Sequence, residues 1–288
     1  VGGQARDFGD GQLVQVLVIG ANGFLGRHLM MEHMKRNDQV TAVYHSGTDH
    51  IPPGIPRVAA AELKSLPDSF DAVYIAGASI PYGHMDEPSP DLVAANVLLP
   101  LQTCSRFPHA RVVFASSVAV YGTSPGVLDE ESPFERITYY GQSKLAGEFV
   151  VRNHPSFAIV RFSSLYGRGM TAKTFIPRLI EMAQGQGELL IYGAGTRRQD
   201  YLHVTDAARY MIAAFQAGVN GAYLGVQGES VSNMEVARVV SELIPGTSIR
   251  TMGEDPAPSF VYDNSQSIRA LQVRPTVTLR QGLQEMLG

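Results

Sequence analysis

Leu13-Val14-Gln15-Val16-Leu17-Val18-Ile19-Gly20-Ala21-Asn22-Gly23-Phe24-Leu25-Gly26 is the stretch on which the reading of this chain turns. Its first seven residues are a nearly continuous run of β-branched and Leu side chains. That pattern marks a strand buried on both faces of a parallel sheet. The run stops at Gly20 and gives way to G-x-x-G-x-x-G, after which Phe24 to Arg36 reads as a helix closed by basic residues. Such a loop has a physical purpose. Gly20 permits the tight turn, Gly23 lets a pyrophosphate approach the backbone, and Gly26 lets the helix press on the sheet. Backbone N–H groups and the helix dipole then face the anion. The expectation is a dinucleotide site at the first βα turn.

Outward from this loop the alternation repeats. Val40–Tyr44, Ala72–Ala76, Arg111–Ser117 and Ala158–Phe162 read as strands, and Pro90–Phe107 and Ser143–Arg152 as helices. Strands alternating with helices predict an α/β fold with a doubly wound parallel sheet of the Rossmann type over 13–162. Beyond Phe162 the rhythm loosens. Phe175–Gln184, Thr205–Ala217 (capped by Thr205), Met234–Leu243 and Leu279–Leu287 read as helices, and Leu189–Tyr192 as a strand. Residues 201–217 are expected to return to the nucleotide-binding domain, while 163–200 and 218–288 form a small C-terminal α/β lid that binds substrate. Residues 1–12, glycine-rich and poor in apolar side chains, are expected to be a flexible end.

Composition removes several alternatives. The 288 residues carry 23 Lys plus Arg against 27 Asp plus Glu, a net charge of −4, which argues against a nucleic-acid binder. No apolar run approaches a membrane span, and no signal-peptide pattern opens the chain, so a cytoplasmic protein is expected. One cysteine, Cys104, rules out an intrachain disulfide and a cysteine-based zinc site. The histidines 28, 33, 45, 50, 84, 109, 154 and 203 show no H-x-x-x-H or H-x-x-E-H spacing, so no metal is expected. Ser116 and Ser117 lack the G-x-S-x-G elbow of a hydrolase.

Two further features carry chemistry. The segment after the second strand, Val43-Tyr44-His45-Ser46, lacks the carboxylate that usually holds an adenosine ribose. Arg27, His45 and Ser46 would tolerate or bind a 2′-phosphate, which favours NADP over NAD. The fourth strand ends at Ser117, and Tyr140 and Lys144 are four apart, on one face if their segment is helical. An ammonium beside a phenol stabilises the phenolate. Such a Tyr can exchange a proton with a substrate oxygen while hydride moves to or from a nicotinamide.

With these residues in order, the chain resembles the extended short-chain dehydrogenase/reductase family, in particular its NAD-dependent epimerase/dehydratase group. The resemblance runs from about Val16 to the C-terminus. It includes Ala76-Gly77-Ala78 after the third strand, Ala95-Asn96-Val97, and Asp200-Tyr201-Leu202-His203-Val204-Thr205-Asp206. It implies that Ser117, Tyr140 and Lys144 are catalytic. It places the cofactor, NAD(P), against Gly20, Asn22, Gly23, Phe24, Leu25, Gly26, Arg27, His45, Ser46, Glu62, Ala76, Gly77, Ala78, Asn96, Tyr140 and Lys144. It also implies a homodimer through helices near 92–101 and 144–151.

The departures from the family pattern are as informative. Dehydratases of the group carry an Asp-Glu pair after the catalytic Ser or Thr; here Val118 and Ala119 follow Ser117, so water elimination is not expected. Ser164 stands where nucleotide-sugar members have an Asn, and Gln199 where they have an Arg. A basic residue expected near 256–262 is absent. Substrate contacts are assigned to Ser79, Ser116, Ser164, Arg178, Arg198 and Gln199, with Arg168, Lys173 and Arg197 as further cations. The expected function is hydride transfer at a secondary alcohol or ketone of a sugar-like small molecule. A nucleotide-sugar 4-keto reductase or 4-epimerase leads. The alternatives are a reductase of a non-nucleotide carbonyl compound, or an idle cofactor-binding regulatory module. His203 is expected to be structural, and Glu130-Glu131 a solvated pair.

Overall fold

The computed structural model describes residues 13–171 and 174–288, so the stretch expected to be flexible, 1–12, and Lys173 lie outside the described residues. Seven strands form one parallel sheet: β1 (Gln15–Ile19), β2 (Gln39–Tyr44), β3 (Arg57–Ala59), β4 (Ala72–Ile75), β5 (Arg111–Ser117), β6 (Phe157–Phe162) and β7 (Gly221–Gly225). Their spatial order is β7-β6-β5-β4-β1-β2-β3, and every neighbouring pair is parallel. The order reverses at β1, between β2 and β4, and in such sheets the ligand crevice lies there, beyond the strands' carboxyl ends.

The period of two along each strand divides the core. Val16, Val18, Ala42, Tyr74, Val113 and Val160 point to one face, with Leu29 and Met30 of the Phe24–Lys35 helix and Ala208 and Met211 of the Val204–Gln216 helix. Leu17, Ile19, Val43, Val73, Phe114 and Ile159 point to the other, where Phe107 and Val151 cover them. A strand sandwiched in this way has no polar face, hence the unbroken apolar run at 16–19.

On that second face two helices lie side by side. One runs through Pro90–Val93, a π-helical turn at Ala94–Leu98 and Leu99–Arg106. Pro100 cannot donate to the Asn96 carbonyl, which accounts for the irregular turn. The other, Tyr139–Arg152, starts four residues before the expected Ser143, because the Thr138 hydroxyl accepts the Gly141 N–H at 3.2 Å and caps it. They meet at Gly147: a Cβ there would sit 2.2 Å from the Asn96 carbonyl oxygen and 2.9 Å from the Phe114 ring.

The C-terminal lobe has its own apolar cluster, including Ile176, Leu179, Ile191, Val236, Val240 and Leu283. It is built from the helices Phe175–Gln186, Asn233–Leu243 and Leu279–Leu287 and the parallel pair Glu188–Tyr192 with Ser248–Met252. Asp206 ties the chain end back by accepting the Thr276 and Val277 N–H groups, each at 2.8 Å.

Some expectations need correction. The sheet gains β3 and β7: three residues starting with an exposed arginine, and Gly-Ala-Tyr-Leu-Gly, carry too little periodicity to be read as strands. The Val204–Gln216 helix is capped by His203, whose Nδ1 accepts the Thr205 N–H, rather than by Thr205. Glu130 is buried, and its carboxylate accepts from the backbone N–H and hydroxyl of Ser267.

Gly147→Ala tests the helix–helix contact. Neither a backbone carbonyl nor a buried ring can yield, so a loss of about 1–3 kcal/mol is expected in denaturant unfolding. An unchanged midpoint would contradict the packing described.

Candidate active site

The crevice is framed by two backbone turns in contact. Gly20 follows β1 at φ +83°, and a Cβ on it would lie 2.4 Å from the backbone of Gly77, which follows β4. Gly26 is as confined, with the Gly20 carbonyl oxygen 2.1 Å from its would-be Cβ. Gly23 differs: it is exposed, and no atom but the Gly20 oxygen lies within 4 Å of that position. It forms the N-cap of the Phe24–Lys35 helix, where no side chain caps the helix and the first turn holds no acid. A positive helix end with no side-chain cap, beside an open glycine, fits a dinucleotide pyrophosphate. Asn22 braces the loop, donating to the Ser46 carbonyl at 3.3 Å and accepting the His50 N–H at 2.8 Å.

Other residues assigned to the cofactor are placed less uniformly. Phe24, Leu25, Ala76 and Ala78 line the same turns. His45, Ser46 and Glu62 are exposed at the ends of β2 and β3. Arg27 is engaged within the chain: its guanidinium donates to the carbonyls of Arg168 and Gly169 and stacks over Phe24 at 5.4 Å. Asn96 is fully buried and spends its amide on the protein. Its Oδ1 accepts the Ser79 N–H, and its Nδ2 donates to the Ser79 carbonyl and the Ser143 hydroxyl, at 3.2, 3.1 and 2.9 Å. As placed, it braces the turn after β4 against the helix carrying Tyr140.

Ser117, Tyr140 and Lys144 come together at the end of β5. The Ser117 side chain hydrogen-bonds the Tyr140 phenol, which lowers that phenol's pKa, while burial dominates and pushes it up to about 12. Lys144 is buried, donates to the Ala115 carbonyl at 2.5 Å, and lies 4.3 Å from the centre of the Phe114 ring. Desolvation pushes its ammonium down to about 7, against an upward pull from Glu148. Burial therefore penalises the charged form of both groups. Across from them, the Tyr140 N–H donates to the Met85 carbonyl at 3.2 Å, so the turn over 80–87 packs on the start of this helix. Tyr82 of that turn acts electrostatically on Tyr140.

The substrate candidates are dispersed. The Ser79 backbone is bonded to Asn96, as above. Ser116 turns away from the crevice and donates to Glu148 at 2.6 Å. Ser164 is exposed on a short strand, Ser164–Tyr166, paired with Tyr201–His203. Arg197 donates to the Pro258 carbonyl at 3.2 Å, and Arg198 to the Ser230 carbonyl, with Glu235 3.5 Å away. Gln199 donates to the Tyr201 hydroxyl at 2.9 Å and to the Asn233 Oδ1 at 3.0 Å. Arg178 and Arg168 are exposed. Sequence reasoning missed Glu148, Arg161 and Asn233. The first had a readable signal, since Tyr140, Lys144 and Glu148 recur every fourth residue on one helix face.

Among the described residues no group of three or more His, Cys, Asp or Glu side chains could hold a metal ion. No described helix is long and apolar enough to cross a membrane.

Comparison with known proteins agrees with this geometry. A relative in Bacillus cytotoxicus, a UDP-N-acetyl-alpha-D-glucosaminuronate decarboxylase, is 25% identical over 311 residues, covering 94% of this chain and 96% of its own. A dTDP-4-dehydro-6-deoxy-D-allose reductase of a Streptomyces species is 28% identical over 307 residues, covering 94% of each. Among solved structures, MoeE5 in complex with UDP-glucose and NAD superposes with a TM-score of 0.79 at 26% identity, covering 95% of this chain and 97% of that one. The model of the NAD dependent epimerase/dehydratase family matches residues 16–224. With that match spanning the glycine loop, the Ser117–Tyr140–Lys144 group and all but the last residue of β7, the chain belongs to the NAD dependent epimerase/dehydratase family and is an enzyme.

Proposed function

We propose that this enzyme transfers hydride at a secondary alcohol or ketone carbon of a nucleotide sugar, as a 4-keto reductase or a 4-epimerase. The observation that carries the reading is the joint burial of Tyr140 and Lys144 beside Ser117, with no acid or base in the two residues that follow. Val118 and Ala119 occupy the short 3-10 turn Val118–Tyr121 and bear no titratable group. They can neither donate nor remove the proton that dehydration needs.

The chain's own part in the reaction follows from the geometry. The Ser117 hydroxyl positions the substrate oxygen. The Tyr140 phenol gives a proton to that oxygen on reduction, or takes one from it on oxidation. A phenol held near 12 is a poor base by itself, so a charged Lys144 is needed to favour the phenolate. A bound nicotinamide would supply or accept the hydride. The glycine loop from Gly20 to Gly26, with Gly77, would hold its pyrophosphate. NAD(P) is the cofactor class. The missing acid after β2 supports NADP, although Arg27 is committed to the Arg168–Gly169 turn and leaves His45 as the nearest basic side chain.

The relatives' names support a substrate carrying a nucleoside diphosphate, for which Arg178 and Arg168 are exposed candidate cations in the lobe. A homodimer is proposed through the two adjacent helices on the second sheet face. Val93, Leu98 and Leu101 are exposed there, and Phe149 is 72% exposed, more than a single water-facing aromatic needs.

Tyr140→Phe is expected to lower turnover by at least a hundredfold while leaving dinucleotide affinity within a few-fold of wild type. Turnover near wild type would overturn the assignment of the proton donor. In thermal shift, NAD or NADP is expected to raise Tm by several degrees, with UDP or dTDP adding to it; the absence of any shift with either dinucleotide would sink the cofactor reading. Stoichiometric NAD in the purified protein would select the epimerase over the reductase. Phe149→Glu is expected to convert a dimer to a monomer in light scattering, and an unchanged mass would remove these helices from the interface.

A further inference from the structure

Behind the crevice lies a buried charge network that the reaction chemistry does not use directly. Its centre is Glu148, fully buried one helical turn beyond Lys144. Arg161 of β6 grips it with two bonds, Nε to Oε1 at 3.0 Å and Nη2 to Oε2 at 2.8 Å. The third nitrogen of Arg161 donates to the Tyr121 hydroxyl at 2.8 Å and the Glu130 carbonyl at 3.0 Å. The guanidinium also sits 5.1 Å from the centres of the Tyr121 and Phe134 rings. It is therefore immobilised from three sides. Ser116, opposite Arg161 in the sheet register, donates to Oε1 at 2.6 Å, and Arg152 stands 3.7 Å from Oε2 on the next helical turn.

Two bolts thus join the end of β5 to the catalytic helix at consecutive residues, Ala115 to Lys144 and Ser116 to Glu148. The next residue of the strand is Ser117, and one turn back along the helix is Tyr140. The groups around Lys144 are the Phe114 ring and Ala115 carbonyl from β5, and Tyr140 and Glu148 from its own helix. None of the first three carries a negative charge while the phenol is protonated. The Asn96 side chain, reaching this helix through Ser143, is neutral as well.

We propose that Glu148, locked by Arg161, is a positioning residue for the reaction: its fixed carboxylate favours the ammonium form of Lys144 in a dry site, and its bond to Ser116 sets the register of Ser117 against Tyr140. An ion pair buried this deeply gains little net stability over apolar packing, so a role in placing charge gives it a reason to exist. The proposal rests on the roles assigned above to Tyr140 and Lys144, and it deepens them. A neutral Lys144 would leave the Tyr140 phenolate without its counter-charge. The sign is fixed: a negative charge raises the proton affinity of a nearby ammonium, so removing it lowers the pH at which Lys144 is half protonated.

The chain has four lysines, 35, 64, 144 and 173, so protein carrying ε-13C-lysine gives four resolvable titration curves without substrate or cofactor. Lys144→Arg assigns the Lys144 curve. In wild type that curve is expected to have its midpoint near neutrality, and in Glu148→Gln to fall by about one pH unit, tenfold in proton affinity. Ser116→Ala removes a bond to the same carboxylate and keeps its charge, so its Lys144 midpoint should match wild type. Because Glu148→Gln strands a buried guanidinium, Glu148→Gln with Arg161→Met serves if the single variant does not fold, and a smaller fall in the same direction is expected because the opposing cation leaves with the carboxylate. A Lys144 midpoint unmoved in the glutamine variants, or moved equally by Ser116→Ala, would overturn the proposal. Because no turnover is measured, such a failure is separate from a failure of the hydride-transfer reading, which Tyr140→Phe decides.

Discussion

The structure depends on an approach between two backbones that no side chain could allow. β1 and β4 are neighbours in the sheet, and the chain leaves both in the same direction, so the turns that follow them must share one space. Gly20 and Gly77 make this possible, because a Cβ on Gly20 would fall 2.4 Å from the Gly77 backbone. The turn then delivers the helix starting at Phe24 with its N-terminus uncapped and directed at the crevice. The candidate anion site is a consequence of that contact. So is the position of the crevice, which opens where the strand order reverses.

A second constraint is electrostatic. The Tyr140 phenol and the Lys144 ammonium are set between a helix and a sheet, where water is scarce and charge is costly. Burial moves the two groups in opposite directions, Tyr140 up to about 12 and Lys144 down to about 7. The neutral pair is thereby favoured, and one nearby fixed charge opposes that shift at Lys144. Glu148 is that charge. It is held by an arginine that itself lies against the neighbouring Tyr121 and Phe134 rings. The Glu130 loop, the Tyr121 turn and the Tyr139–Arg152 helix therefore share one buried network, and it reaches the Ser265–Leu271 helix through the Glu130–Ser267 bond.

The lobe that completes the crevice follows a different logic. Its arginines at 197 and 198 are spent on its own carbonyls and on Glu235, and Gln199 bonds Tyr201 and Asn233. A cation already paired within the protein must give up those bonds before it can meet a phosphate. Arg168 and Arg178 are exposed and carry no such commitment among the described contacts.

Much of this was legible in the linear chain. The unbroken apolar run at 16–19, the glycine spacing at 20, 23 and 26, and the four-residue step from Tyr140 to Lys144 each encode a local geometry, and local geometry is what periodicity and steric freedom determine. That is why the doubly wound sheet and the Ser117–Tyr140–Lys144 group could be read from the order of residues alone. The strands β3 and β7 could not, because three residues, or five flanked by glycines, hold no pattern until a neighbouring strand supplies hydrogen bonds. Nor could the fate of individual polar groups. Glu130 and Glu131 look alike in sequence, yet Glu130 is buried against Ser267, and Arg27 and Ser116 turn to partners 141 and 32 residues away. Where a side chain spends its hydrogen bonds depends on what tertiary packing brings within reach, and the sequence determined the frame while only the packing decided which charges stay free for a ligand.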